Sequence, residues 1–329
     1  MNKFSIILPV RNGGEYVKEC VNSILSQTLG DLNLHVLDNA STDGTLDWVR
    51  SLRDERISIH PADKPLTIEQ NWGRITGIEK NEFMTMIGHD DVLLPFYLEE
   101  MNSLILKHPG ASLYQAHYNY IDANGSMLRP CLPMDEVQQA HEFLACQMAR
   151  TIESTGTGYM MRSGDYDRVG GIPVHFPNLI FADYSLWIKL MLPGYKVTSP
   201  KLCFLYRLHQ NVSRTTNGME YQDAFGAYMA FIKSLMQSNA AIHEVVTRYG
   251  KDMLLYFCES LSHRLLKTPK EKRTLTVAGF IEKCKAYAAE IIPGQEFNPE
   301  AKFRINIARQ LDQTGIGRQA FYMFRKLTS

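Results

Sequence analysis

The chain has 329 residues, 45% of them hydrophobic and 21% charged, enough for one large domain or for a domain with an appendage. Lys+Arg and Asp+Glu balance at 35 each, so no net basic charge speaks for nucleic acid. No stretch approaches the roughly 18 apolar residues of a membrane span, no secretory-leader pattern is read, and the six cysteines lack metal or redox spacing. Reduced thiols and a cytoplasmic location are the expectation, with the inner face of the cell membrane as the alternative.

Residues 4–10 read as a buried strand that breaks into Arg11-Asn12-Gly13-Gly14. Residues 15–27 follow as a helix, with Tyr16, Val17, Cys20, Ile24 and Leu25 at helical spacing. Residues 32–37 form the second strand, closed by Asp38 and the turn DNASTDG. Ser41 or Thr42 is the expected cap of a helix beginning near Thr45. A third strand at 56–60 leads to a helix from Thr67 to about Lys80, with Thr67 as its cap. A fourth strand at 83–87 precedes Asp90 and Asp91, Pro95 opens the next helix, and 111–118 is another strand.

This alternation predicts an α/β fold with an open, mostly parallel sheet flanked by helices. Ligands bind such sheets at the carboxyl ends of the strands. Arg11-Asn12, Asp38-Asn39 and Asp90-Asp91 all fall at such ends. Neither a G-x-G-x-x-G fingerprint nor a phosphate loop is present, which excludes a dinucleotide-binding domain. The adjacent carboxylates of Asp90 and Asp91 repel, and a divalent cation would offset them; a solvated acidic loop is the bland alternative.

Beyond residue 119 the pattern loosens. Asp122 to Gly125 reads as a turn, a linker with Pro130 and Pro133 follows, and a helix is expected at 137–149. Residues 156–162 are strand-like, 183–192 a short helix, and 201–208 a strand ending before His209. From about 216 onward the reading is all-helical, with segments at 219–238, 242–266, 275–291, 299–311 and 318–327. The expected organisation is a sheet domain at 1–215 and a helical region at 216–329.

Four blocks within residues 3–214 resemble the family 2 glycosyltransferases of the GT-A fold. They are SIILPVRNGGEYVKECVNSILSQT, HVLDNASTDGT, EFMTMIGHDDVLLP and FADYSLWIKLMLPGYKVTSPKLCFLYRLHQNVS. The resemblance implies a nucleotide-binding half at about 1–118 and an acceptor half at about 119–215. It implies an inverting transfer of a sugar from a nucleoside diphosphate, with UDP favoured, to a surface polysaccharide or a lipid-linked glycan.

By the same resemblance, Pro9, Val10, Arg11, Asn12, Asp38, Asn71, Arg74 and Asp90 would contact the nucleotide. Asp90, Asp91 and His209 would hold Mn²⁺ or Mg²⁺. Asp183 would be the general base. The bland readings are a turn residue for Asp38, a strand-end histidine for His209 and a helix N-cap for Asp183. The chain departs from the family pattern at Gly88 and Ala182, where acids are usual.

Two rivals stand beside this reading. One is a sugar nucleotidylyltransferase, which would want a basic phosphate loop where RNGG stands. The other is a nucleotide-sugar binding module without activity. The last segment interleaves Lys302, Arg304, Arg309, Arg318, Arg325 and Lys326 with Phe303, Ile305, Ile307, Phe321, Tyr322 and Phe324. Its readings are contact with an anionic membrane surface, or packing on the catalytic domain or in a homo-oligomer.

Overall fold

Residues 2–208, 216–315, 317–319, 321 and 323 are described by a computed structural model, in which the chain divides into two units. The first comprises Met1–Phe143, Ile152–His175 and Ala182–Asn211; the second comprises Leu144–Thr151, Phe176–Phe181 and Val212–Ser329.

The first unit is built on strands β1 (Phe4–Val10), β2 (Leu32–Asp38), β3 (Ile57–Ile59), β4 (Phe83–Met86), β5 (Val92–Leu93), β6 (Leu113–Ile121), β7 (Met127–Pro130), β8 (Val137–Gln138), β9 (Met160–Arg162) and β10 (Lys196–Arg207). They join in the order β3-β2-β1-β4-β9-β6-β10-β5, with β7 on β6 and β8 on β10. Pairing is parallel for β3-β2, β2-β1, β1-β4 and β6-β10. The short β9 is antiparallel to both β4 and β6, so β6 and β10 run the same way as β4. The carboxyl ends of the long strands therefore open at one edge of the sheet. Every residue of β1 is buried, as a strand covered on both faces requires.

Helices α1 (Gly14–Leu25), α2 (Thr45–Ser51), α3 (Ile68–Gly73), α4 (Tyr97–Lys107), α5 (Ala140–Ala149), α6 (Ser163–Arg168) and α7 (Ala182–Met191) complete the alternation. Val17, Cys20, Val21 and Ile24 of α1 share a core with Ile6, Leu8 and Val36.

Several local expectations are corrected. Neither Ser41 nor Thr42 caps α2: Gly44, at φ 87°, opens it instead. The Ser41 hydroxyl accepts from Asn12 N at 2.9 Å, and Thr42 N donates to Asn12 Oδ1 at 2.8 Å, so both are occupied by the neighbouring loop. Thr67 does cap α3, in a capping box with Gln70, but the helix ends at Gly73 and gives way to a 3₁₀ turn at Arg74–Gly77. Residues 127–130 form a fully exposed edge strand, where Pro130 is tolerated. Val137 and Gln138 pair with β10 before α5 begins. β10 starts at Lys196, ahead of Pro200, which sits where the register with β6 shifts.

The second unit contains α8 (Gly218–Ser238), α9 (Ala240–Lys267), α10 (Val277–Ile291) and α11 (Phe303–Gln313). Asn217, Asn239 and Thr276 cap α8, α9 and α10 through their side chains. Basic residues of the last segment are matched internally: Arg304 pairs with Glu259 at 3.0 Å, Arg309 with Glu300 at 2.7 Å and Arg318 with Asp312 at 3.4 Å. Tyr322, Phe324, Arg325 and Lys326 lie outside the described residues. Among the described residues no helix is long and apolar enough to cross a membrane. The six cysteines are free thiols.

Candidate active site

Pro9 and Val10 are buried at the end of β1, and Arg11 and Asn12 are exposed just beyond it. The loop that follows is bound to the next one. The N–H groups of Asn12, Gly13 and Gly14 donate to Ser41 Oγ, Thr45 Oγ1 and Asp43 Oδ2 at 2.9, 3.0 and 2.9 Å. A phosphate-cradling loop needs such donors unengaged. This one has used them.

Asp38 ends β2 and is 1% exposed. One of its oxygens accepts from Ser41 N at 3.2 Å; the other, Oδ1, is buried with no hydrogen-bond partner among the described residues. A buried carboxylate oxygen without a donor is costly, so a ligand N–H is what this position lacks. Arg74 braces the surrounding main chain. Its Nη1 donates to Asp38 O at 3.2 Å and to Asn71 Oδ1 at 3.0 Å, and its Nη2 donates to His60 O at 2.6 Å. Asn71 Nδ2 in turn donates to Leu37 O at 3.3 Å. Arg74 also lines a cavity of about 520 Å³ with Pro61, Ala62, Asp63, Lys64 and Leu66, a volume suited to a small ligand.

The carboxylate pair follows β4 in a turn closed by Asp91 N donating to Gly88 O at 3.1 Å. Asp91 is 2% exposed. Its Oδ1 accepts from Arg207 N at 2.9 Å, and the Thr157 hydroxyl bonds it as well while accepting from Gly88 N at 3.0 Å. Burial, and then the charge of Asp90, push the Asp91 carboxyl well above the usual range despite those bonds. Gly88 leaves room for the carboxylates that follow it. A Cβ at this position would lie 2.7 Å from Asp90 Oδ1 and 3.2 Å from Asp91 Oδ2. The space a first acidic side chain would use is filled by the carboxylates that follow it.

Positive charge does reach the pair, from Arg207 at the end of β10. This side chain is 1% exposed. Its Nε donates to Asp90 O at 2.8 Å, its Nη1 to Asp122 O at 3.2 Å, and its Nη2 to Glu19 on α1. The guanidinium also lies 4.7 Å over the Tyr16 ring. Among the described residues no group of three or more His, Cys, Asp and Glu side chains gathers as a metal site. Asp90 and Asp91 nevertheless offer adjacent hard oxygen donors, which fit a cation that completes its ligands from a bound phosphate and water. His209 lies outside the described residues.

Asp183 sits in the first turn of α7, just inside its start, with Oδ1 accepting from Tyr184 N at 2.9 Å. Burial pushes its carboxyl up to about 7, against the pull of that bond. One turn on, Trp187 Nε1 donates to Thr155 O at 3.0 Å and its ring stacks on Tyr159 at 4.2 Å. The segment so held carries Thr157 to Asp91. It passes through Gly158, at φ +87°, where a Cβ would collide with the Phe204 ring. Burial raises the phenol of Tyr206 on β10, and the charges of Asp91, Asp90 and Asp183 raise it further.

The sequence-predicted residues thus form two groups. Pro9, Val10, Arg11, Asn12, Asp38, Asn71 and Arg74 lie at the ends of β1 and β2 and on α3 and the turn after it. Asp90 and Asp91 follow β4 and Asp183 lies in the first turn of α7; the charge of each raises the Tyr206 phenol. The sequence reading gave no role to Glu19, Thr157, Tyr206 or Arg207. Of these only Tyr206 and Arg207 carried a signal, standing beside His209 in the fourth block.

Residues 5–164 match the sequence family described as glycosyl transferase family 2. The chain carries a family 2 glycosyltransferase domain. Glycosyltransferase GlyG of Streptococcus pneumoniae is 26% identical to it over 126 residues, 37% of this chain and 41% of GlyG. WfgD of Escherichia coli, named as a UDP-Glc:alpha-D-GlcNAc-diphosphoundecaprenol beta-1,3-glucosyltransferase, is 25% identical over 215 residues, 63% of this chain and 78% of WfgD. The chain spans less than half the length of the first curated relatives it matches. In structure, S. aureus TarS 1-349 in complex with UDP-GlcNAc superposes with a TM-score of 0.68 at 16% identity, covering 98% of this chain and 92% of that one. The glycosyltransferase domain therefore has the GT-A architecture, with a helical region following it.

Proposed function

We propose that this glycosyltransferase moves a sugar from a UDP-linked donor to a hydroxyl of a surface polysaccharide or lipid-linked oligosaccharide, inverting the anomeric configuration. The observation that carries the reading is at the carboxyl ends of β2 and β4: Asp38 Oδ1 is buried without a donor among the described residues, and the Asp90-Asp91 pair follows β4 with Asp91 fixed by Arg207 N and Thr157. In this reading the carboxylates come from distant parts of the chain, with Asp90 and Asp91 beside the leaving group and Asp183 across the sugar. The name of WfgD, with its UDP-linked sugar and lipid diphosphate acceptor, supports the donor and acceptor classes.

In this reading Asp38 Oδ1 accepts the imide N–H of uracil, the donor it otherwise lacks. Arg74 and Asn71 keep the main chain around Asp38 in place. Asp183 takes the proton of the acceptor hydroxyl as that oxygen attacks the anomeric carbon from the face opposite the diphosphate. A carboxyl near 7 is poised for that task. One displacement from the opposite face inverts the centre. Asp90 and Asp91, with His209 as a third ligand, would hold Mn²⁺ or Mg²⁺. Such a cation, when bound, offsets the charge that builds on the departing diphosphate. Nucleotidyl transfer is the weaker reading, because the N–H groups of Asn12, Gly13 and Gly14 are already engaged.

Thermal unfolding with UDP, GDP and dTDP, each with and without Mn²⁺, tests donor and cation together. UDP with Mn²⁺ at saturating concentration is expected to stabilise the protein by about 2–4 kcal/mol. Asp183→Asn is expected to keep that shift and lose sugar transfer. No shift with any nucleotide overturns the donor reading, and wild-type transfer by the variant overturns the base.

A further inference from the structure

The helical unit carries a groove of its own. Two adjoining cavities, of about 670 and 490 Å³, share Ser260 and His263 in their walls. Their floor is one stripe of α9. Tyr249, Asp252, Tyr256, Ser260, His263 and Lys267 recur at intervals of three and four residues, one face of a helix. From Tyr249 to Lys267 that stripe runs about 27 Å at helical rise. A channel of this length suits an extended chain rather than a compact small molecule.

The charge of the groove departs from that of the chain, which is balanced at 35 Lys+Arg and 35 Asp+Glu. Arg150, Lys302 and Arg304 line one end; Arg264, Lys267 and Lys272 line the other. Among the described residues the carboxylates in its walls are Asp252 and Glu259, and Glu259 already pairs with Arg304 at 3.0 Å. The surplus is positive. Arg264 is also held in place: its Nη1 donates to Thr216 O at 2.9 Å and its guanidinium lies 4.2 Å over the Tyr221 ring. A fixed guanidinium flanked by lysines is the arrangement that recognises phosphate.

The middle of the groove is aromatic. Tyr256 is 40% exposed, with Arg150 4.1 Å over its ring. Tyrosine presents a flat apolar face with a polar tip and loses little entropy on binding, which suits the mixed surface of a sugar.

We propose that this groove binds an extended glycan bearing phosphate groups, its sugars lying along Tyr249 and Tyr256 and its phosphates at Arg264, Lys267 and Lys272. The sugar part rests on the reading of the chain as a glycosyltransferase; the phosphate part rests on the groove's charge.

The test is titration of the full chain with a phosphodiester-linked polysaccharide, with neutral dextran of similar length, and with vesicles of anionic phospholipid. The phosphate-bearing glycan is expected to bind about tenfold or more tightly than dextran, and to weaken steeply as salt rises. Lys267→Glu/Lys272→Glu is expected to lose about tenfold or more of that affinity, and the milder Lys267→Gln/Lys272→Gln part of it, with stabilisation by UDP unchanged in both. Equal binding by wild type and both double variants overturns the proposal. So does wild-type binding to vesicles but not to the soluble glycan, which would make the groove a membrane face. Loss of UDP stabilisation in wild type would instead count against the donor reading and leave this one standing.

Discussion

Arg207 donates its main-chain N–H to Oδ1 of Asp91 at 2.9 Å across 116 residues of sequence. The same residue sends its Nε to the carbonyl of Asp90 at 2.8 Å. Backbone and side chain of one arginine thus grip both members of the carboxylate pair, and Glu19 and the Asp122 turn grip the arginine. Removal of its side chain leaves the Asp90 and Asp122 carbonyls without these donors and Asp91 without a positive charge that favours its ionised form. Arg207→Ala is expected to cost about 3 kcal/mol by urea denaturation, in the range of a broken buried charge cluster. Arg207→Lys keeps the charge but not the fork and should recover about half of that loss. A loss within error for Arg207→Ala would show that Asp91 is held by other groups.

Asp183 sets the pH dependence. Its folded value of about 7 lies above the ordinary carboxylate value, so the folded chain holds the proton more tightly than the unfolded one. Stability from this group is then full below the ordinary value and is lost as pH rises through about 7. Catalysis runs the other way, because the base must be ionised. Below about pH 7, kcat should fall by about tenfold per unit. Asp183→Asn, which cannot ionise, should raise the melting temperature at about pH 8 and change it little at about pH 4. A melting temperature that drops at both values would mark Asp183 as a structural carboxylate.

Much of the fold was legible because its strands and helices are long or sharply bounded. The all-buried run FSIILPV is β1, and the apolar spacing of Val17, Cys20 and Ile24 is α1. β5 and β8, of two residues each, leave no periodic trace, and the exposed β7 reads as linker because it has no buried face. For the site, adjacent acids are visible in sequence, but what holds them is not. Thr157 and Arg207 reach Asp91 only because the sheet brings β9, β4, β6 and β10 side by side. The segments 144–151 and 176–181 group with the helical unit, a long-range packing outcome that local composition cannot announce.

Asp38 yields a separation between binding and folding. Its Oδ1 has no hydrogen-bond partner among the described residues, and an amide oxygen can still accept from Ser41 N, so exchanging the carboxylate for an amide costs the fold little. Asp38→Asn should therefore leave unfolding within about 1 kcal/mol of wild type while the donor KM rises by about tenfold. The rate at saturating donor should hold, since the uracil ring that Asp38 contacts in this reading takes no part in the bond that breaks. An unchanged KM would remove Asp38 from the nucleotide site.

Gly88 offers the sharpest test of the carboxylate geometry. The family pattern places an acid there, so Gly88→Asp would appear to restore it. A Cβ at this position meets Asp90 Oδ1 at 2.7 Å and Asp91 Oδ2 at 3.2 Å. Asp91 is pinned by Arg207 N and Thr157 and cannot yield, so the Asp90 carboxylate must rotate away. Gly88→Ala should then keep its stability within about 1 kcal/mol, because a side-chain rotation absorbs the clash. Its apparent affinity for Mn²⁺ in a transfer assay should fall by about tenfold or more, as when a ligand's orientation is lost. Gly88→Asp adds a third negative charge beside the buried Asp91 and the half-buried Asp90. It should melt lower than wild type in EDTA and regain more than wild type on addition of Mn²⁺. If Gly88→Ala matches wild type in cation dependence, the Asp90 oxygen beside Gly88 is not a ligand.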